Sequence, residues 1–322
     1  MLGGAPGCGK SSLVALYARA LLGKKTPGEG DGYLLIDVSP SWMEPEDILG
    51  HWGLKDSYVV SQTGLVPFLR KAASAESFAT TPIVCLEEMN LARVEHYFAD
   101  FMQQLCRDEN ERELRGVPKA NDQKDPAQAK LPLTPLVRFV GTNNFDETTQ
   151  RFSQRFYDRC NYIELSSART SEPFAGGVPS FSRADFGACV GCQTYESWFK
   201  KAPPPAILEK AVVDKYKRLM PVLLDMNLPV SRRTEVAILV YVANRPFLVE
   251  CGDDPSDGVA CQMRALDEVI AQKILSRYTG NPYSGETESE KRLENALGDF
   301  DLSLSLELLK RRCAGKERPG YV

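Results

Sequence analysis

Near the start of the chain, Gly4-Ala5-Pro6-Gly7-Cys8-Gly9-Lys10-Ser11 fits the pattern GxxxxGK[ST]. This pattern narrows the architecture sharply, because it joins a buried parallel strand to the first turn of a helix. Its glycines let backbone N–H groups wrap phosphates, the lysine reaches the β- and γ-phosphates, and the Ser hydroxyl ligates magnesium. Ser12 to Leu22 then reads as a helix, with Leu13, Tyr17, Ala20 and Leu21 at helical spacing, so that its N-terminus points at the anion. A chance glycine-rich turn would not be followed by that helix. Gly4, Pro6, Gly7, Cys8, Gly9, Lys10, Ser11 and Ser12 are therefore candidate nucleotide-binding positions, and Ser11 is a candidate magnesium ligand. A phosphate loop normally follows a strand of about five residues, yet only Met1, Leu2 and Gly3 precede Gly4. Either the start is clipped, with a recognition domain ahead of it, or the first strand is very short.

With 322 residues, 43% hydrophobic and 25% charged, the chain has room for two ordinary globular domains. Its formal charge of −4 supplies no global basic field. Any contact with DNA would need a local patch or a pore formed on assembly. No apolar run is long enough to cross a bilayer, and a phosphate loop stands where a signal peptide would, so the expectation is a cytoplasmic protein without a membrane partner. Its nine cysteines then stay mostly reduced.

Further along, Tyr33 to Val38 reads as a buried strand, and Ser39 to Gly50 is too rich in turn residues to be one helix. Gly64 to Ala73 reads as a short amphipathic helix. Thr81 to Glu88 places four apolar residues of a buried strand ahead of two carboxylates at its C-terminal edge, where ligands of parallel sheets bind. Paired acids alone would only solvate a strand end. After a phosphate loop they read as Glu87 for the metal and Glu88 as the general base that polarises the attacking water.

Asn90 to Cys106 reads as one helix whose apolar face is Val94, Tyr97, Phe98, Phe101, Met102 and Leu105. Residues 107 to 132 read as a hairpin or a mobile insertion. Leu136 to Asn144 is another buried strand that ends in amides at the same edge; Asn144, with Asn143 beside it, is the candidate to hold the lytic water. Asp146 to Tyr157 reads as a helix carrying Arg151 and Arg155, followed by Asp158, Arg159 and a short strand at Asn161 to Leu165. Arginines just before a last strand can reach the nucleotide of an adjacent subunit. Residues 166–206 are irregular, and Cys189-Val-Gly-Cys192 within them reads better as an incidental loop than as half of a zinc site. Beyond, 207–220, 231–244, 259–278 and 290–313 are helical, with Asp267-Glu268 reading as an exposed face. The division expected is a nucleotide-binding core over 1–165, a linker over 166–206 and a helical domain over 207–322.

The order of loop, acidic strand end, amide strand end, arginines and helices resembles an AAA+ ATPase core, an α/β fold with a parallel sheet followed by an α-helical lid. Trp42-Met-Glu-Pro-Glu-Asp-Ile-Leu-Gly50, Glu88-Met-Asn-Leu-Ala-Arg-Val-Glu-His-Tyr-Phe98 and Gly141-Thr-Asn-Asn-Phe-Asp146 resemble the McrB-like branch, near MoxR and dynein-type modules. That resemblance implies Walker A roles for Lys10 and Ser11, a Walker B acid in Glu88 and sensor 1 in Asn144. It also implies an arginine finger in Arg159 or Arg155, and sensor 2 in Arg233. Glu87 stands where the family usually has Asp. The cofactors implied are ATP or GTP with Mg2+, and the partners a six-membered ring of like subunits and, for a restriction motor, a separate nuclease or other effector subunit. A MoxR-like chaperone and a nucleotide-gated scaffold with little hydrolysis are the other readings.

Overall fold

A computed structural model describes residues 1–23, 31–54, 57–74, 77–120, 125–144, 150–165, 189–198, 208–245, 258–278 and 287–313. Two compact units emerge, Met1–Ser153 with Leu165–Phe199, and Gln154–Glu164 with Lys200–Val322. The first contains β1 (Leu2–Gly4), α1 (Lys10–Leu22), β2 (Tyr33–Asp37), α2 (Pro45–Leu49), β3 (Gly50–Trp52), β4 (Tyr58–Val60), α3 (Leu65–Ala72) and β5 (Ile83–Glu87). It continues through α4 (Val94–Tyr97), α5 (Ala99–Gln104), β6 (Glu113–Arg115), β7 (Lys130–Pro132) and β8 (Arg138–Asn144). α6 (Gln154–Tyr157) and β9 (Ile163–Glu164) fall in the second unit by their contacts, and α7 (Cys192–Ser197) falls in the first.

The principal sheet has five strands in the order β2-β5-β8-β1-β9. Ile83, Val84, Cys85 and Leu86 of β5 are all at most 1% exposed, as befits a strand covered on both faces. Pairing is parallel, with Asp37 opposite Glu87 and Gly4 opposite Asn144, which brings the phosphate loop, the acids and the amides to one edge. β2, at the other margin of the sheet, alternates instead of being buried throughout: Leu34 and Ile36 are covered while Leu35 is 46% exposed. Where a hairpin or a mobile insertion was expected between 107 and 132, β6 pairs antiparallel with β7, and Ser39 to Gly50 supplies only the short helix α2 before a second hairpin, β3 with β4.

Two helices expected ahead of residue 165 are broken. Asn90 to Cys106 is not continuous: 90–93 form a turn, and Phe98, at φ −105 and ψ 13, separates α4 from α5. Its ring stacks on Phe101 at 4.7 Å and meets Phe139 edge-on at 5.6 Å. Of the helix expected from Asp146 only Gln154–Tyr157 is seen, Arg151 lies in a non-helical stretch, and 145–149 fall outside the described residues.

The second unit is built on α8 (Lys210–Asp225), α9 (Arg232–Asn244), α10 (Gly258–Lys273), α11 (Glu288–Asp299) and α12 (Ser303–Cys313). Leu219, Leu223, Ile238, Ala265, Ile270, Leu293 and Leu297 form its fully buried centre. The helix expected over 290–313 is two helices. Asp301, in the left-handed region at φ 57, ends α11, and the Leu302 N–H returns to the Leu297 carbonyl at 2.9 Å.

Asp267 and Glu268 do not form an exposed face. Asp267 is 6% exposed, and its carboxylate accepts the N–H groups of Leu304 and Ser305, each at 2.8 Å, which caps α12. Glu268 accepts from the Tyr241 hydroxyl and pairs with the buried Arg245. Asp267→Ala is expected to destabilise the protein by about 2 kcal/mol, since two buried donors lose a charged acceptor. Thermal denaturation monitored by circular dichroism would show it, and an unchanged midpoint would mean that the cap contributes nothing.

Candidate functional site

The phosphate loop owes its form to backbone angles. Gly7 and Gly9 have φ of 77 and 88, and a Cβ at either would meet nothing within 4 Å, so conformation and not crowding demands glycine there. Gly4 is crowded as well, because a Cβ would lie 2.6 Å from the Leu165 carbonyl oxygen and 2.8 Å from Cys8 Sγ. α1 opens at Lys10 with Gly9 as its N-cap and no side chain capping it, so its first N–H groups face the loop.

Lys10 is 6% exposed. Its Nζ donates to the carbonyls of Gly4 at 3.0 Å and Ala5 at 2.9 Å and lies 3.7 Å from Cys8 Sγ. A buried ammonium with those neutral partners, at the head of a helix, fits a polyphosphate. Next to it, the Ser11 hydroxyl donates to Glu87 Oε1 across the foot of the sheet. One hydroxyl and one carboxylate side by side are a hard-oxygen pair suited to magnesium.

Glu88 leaves the strand in the left-handed region, with φ 50. Its N–H donates to Thr142 Oγ1 at 3.1 Å, and the Met89 N–H donates to the Thr142 carbonyl at 2.8 Å. Those two bonds turn the chain and swing the carboxylate toward β8, where Asn144 Nδ2 donates to Glu88 Oε1 at 2.5 Å. Asn144 is an amide brought to Glu88, and its neighbour Asn143 is 4% exposed. Cys85, two residues before Glu87, is an inert neighbour: burial first, and the Glu87 charge second, push its thiol up to about 12.

Two contributors went unnoticed in the sequence. Thr142 holds the Glu88 turn, and Asn90, 2% exposed, donates through Nδ2 to the Asn144 carbonyl at 2.9 Å while its own carbonyl accepts the Gln150 N–H at 2.7 Å. The available signal was an amide two residues after the acid, which an apolar-periodicity reading passes over.

Residues 1–160 match the family model of the AAA domain, dynein-related subfamily. That match and the parallel five-stranded sheet give residues 1–160 the fold of an AAA domain. A comparison with curated proteins finds no match to the chain. AAA domains bind ATP, typically with Mg2+, and the match supports an ATPase-type function. The structure thus brings Lys10, Ser11, Glu87, Glu88 and Asn144 together on the first unit, while Arg155, Arg159 and Arg233 lie on the second. Arg155 and Arg233 are exposed and Arg159 half-buried. Among the described residues no group of three or more His, Cys, Asp or Glu could hold a metal, and Cys192 opens α7 with its thiol toward the Phe78 carbonyl at 3.6 Å. No helix among them is long and apolar enough to cross a membrane.

Proposed function

We propose that the AAA domain hydrolyses ATP, with Glu88 as general base and Asn144 as the amide that orients water beside it. The contact between these two side chains at 2.5 Å, at the same sheet edge as Lys10 and Ser11, is the observation that supports it. Lys10 and the loop N–H groups bind the β- and γ-phosphates; Glu88 takes the proton of the attacking water; Asn144 fixes the direction of approach. Ser11 and Glu87 would hold magnesium, which when bound would supply charge neutralisation on the phosphate oxygens. Arg159, or Arg155 in its stead, is supplied to this site by a neighbouring copy in a nucleotide-dependent ring of six, and Arg233 is the further candidate cation.

Within the family, the McrB-like motor of a defence system is the favoured role, supported by the resemblance of Trp42 to Gly50 and of Glu88 to Phe98 to that branch. Such a motor needs a separate nuclease subunit and responds to DNA, whereas a MoxR-like chaperone responds to a protein client. The nucleotide-gated scaffold rests on one specific observation: Glu87, a carbon longer than aspartate, already reaches Ser11.

Mixing two inactive proteins tests the proposal. Glu88→Gln subunits retain Arg159, and Arg159→Ala subunits retain the catalytic acid, so mixed rings contain complete sites at some junctions. ATP hydrolysis should reappear on mixing, and comparison with GTP reads the base preference. A mixture that stays inactive while sedimentation shows mixed rings would mean that the arginine does not act in trans, and the scaffold reading would stand.

A further inference from the structure

Residues 154–164, which carry both candidate finger arginines, belong by their contacts to the helical unit. Three cations of that unit, each almost completely buried, converge on this one segment. Arg277, with a side chain 3% exposed, donates to Asp158 Oδ1 at 2.8 Å. Lys273, 7% exposed, donates to the Cys160 carbonyl at 2.8 Å. Arg312, with a side chain 1% exposed, donates to Glu164. Asp158 Oδ1 also accepts from Thr234 Oγ1 at 3.3 Å, in the first turn of α9 beside Arg233. The residues immediately before and after Arg159 are therefore both fastened to α9, α10 or the 3₁₀ turn Leu275–Arg277 that follows α10.

Apolar side chains could fill this volume without the loss of hydration that buried charge entails. That loss is visible here, since burial pulls both the Lys273 ammonium and the Arg277 guanidinium below their ordinary values. What the charges add over apolar packing is direction: each fixes one atom of the segment by a hydrogen bond. Two of these contacts fall on either side of a single arginine, on the Asp158 carboxylate before it and on the Cys160 carbonyl after it.

We infer that the helical unit of each copy sets the position of the arginine which that copy offers to its neighbour, with Asp158 and Lys273 as the positioning residues. This rests on the proposed function, and it adds a route by which the helical unit of one subunit regulates hydrolysis in the next.

The test uses the mixed rings with a second substitution in the arginine donor only. Glu88→Gln/Lys273→Met and Glu88→Gln/Asp158→Asn subunits hydrolyse nothing themselves, so any activity of a mixture with Arg159→Ala subunits reports the arginine they supply in trans. Phosphate release is expected to fall at least about tenfold below that restored by the Glu88→Gln donor, at equal incorporation by sedimentation and equal ATP binding. Lys273→Met replaces a buried amine by an apolar chain of similar length, which keeps the test in force where Asp158→Asn does not fold. Full restoration by the Lys273→Met donor would overturn the inference. Failure of the plain Glu88→Gln donor to restore any activity would instead remove the trans arginine itself.

Discussion

Lys10→Ala protein is expected to lose ATP binding, with affinity falling by about 10²- to 10³-fold or beyond detection. The magnitude follows from losing two or three charge-assisted hydrogen bonds at about 1.5–3 kcal/mol each, tempered by the loop N–H groups that remain. The structure sharpens this expectation. Lys10 is 6% exposed and lies against the carbonyls of Gly4 and Ala5, so the cation is already gathered at the loop. Truncation leaves the loop with helix N–H groups and no full positive charge of its own, which the charge of a triphosphate does not tolerate well. Isothermal titration with a non-hydrolysable analogue would measure it, and parental affinity in the variant would remove the loop from the nucleotide site.

The second large effect concerns chemistry and not binding. Glu88→Gln should bind ATP as the parent does while hydrolysis drops by about 10²- to 10⁴-fold, the usual contribution of a general base. Glutamine keeps the length of the side chain and can still meet Asn144, so the turn held by Thr142 should persist. Single-turnover phosphate release, read beside binding, separates the two steps. Equal rates in variant and parent would place the base elsewhere. A rate loss accompanied by a matching affinity loss would point to a damaged loop instead.

How far this site was legible differs from residue to residue. The loop at Gly4 to Ser11 could be read because its chemistry demands particular residues at contiguous positions. Glu88 and Asn144 could be read as polar ends of apolar strands, since a parallel sheet must align its C-terminal edge; the register of Gly4 with Asn144 is how that alignment appears. Asn90 and Thr142 could not. One is a buried amide in a turn and the other a strand residue whose hydroxyl finds the backbone of another strand, and neither leaves a periodic trace.

Asp267 was misread for a related reason. Two adjacent acids in a helix resemble a solvated face, and the amides that Asp267 caps lie 37 and 38 residues further on. Phe98 shows the opposite difficulty: its apolar spacing continues across a break in the helix, because packing against Phe101 and Phe139 is satisfied without continuous helical hydrogen bonding. The grouping of 154–164 with the helical unit was likewise hidden, depending as it does on buried cations drawn from distant helices.

The left-handed backbone at Glu88 has a consequence for how the protein changes over generations. A side chain held at φ 50 costs about 1–3 kcal/mol that glycine would not incur. Selection for heat tolerance alone would therefore favour glycine at this codon, in direct opposition to selection for turnover. Under the proposed role of Glu88 as general base, a lineage that keeps glutamate here would keep the reaction, and a change to glycine would leave binding without turnover.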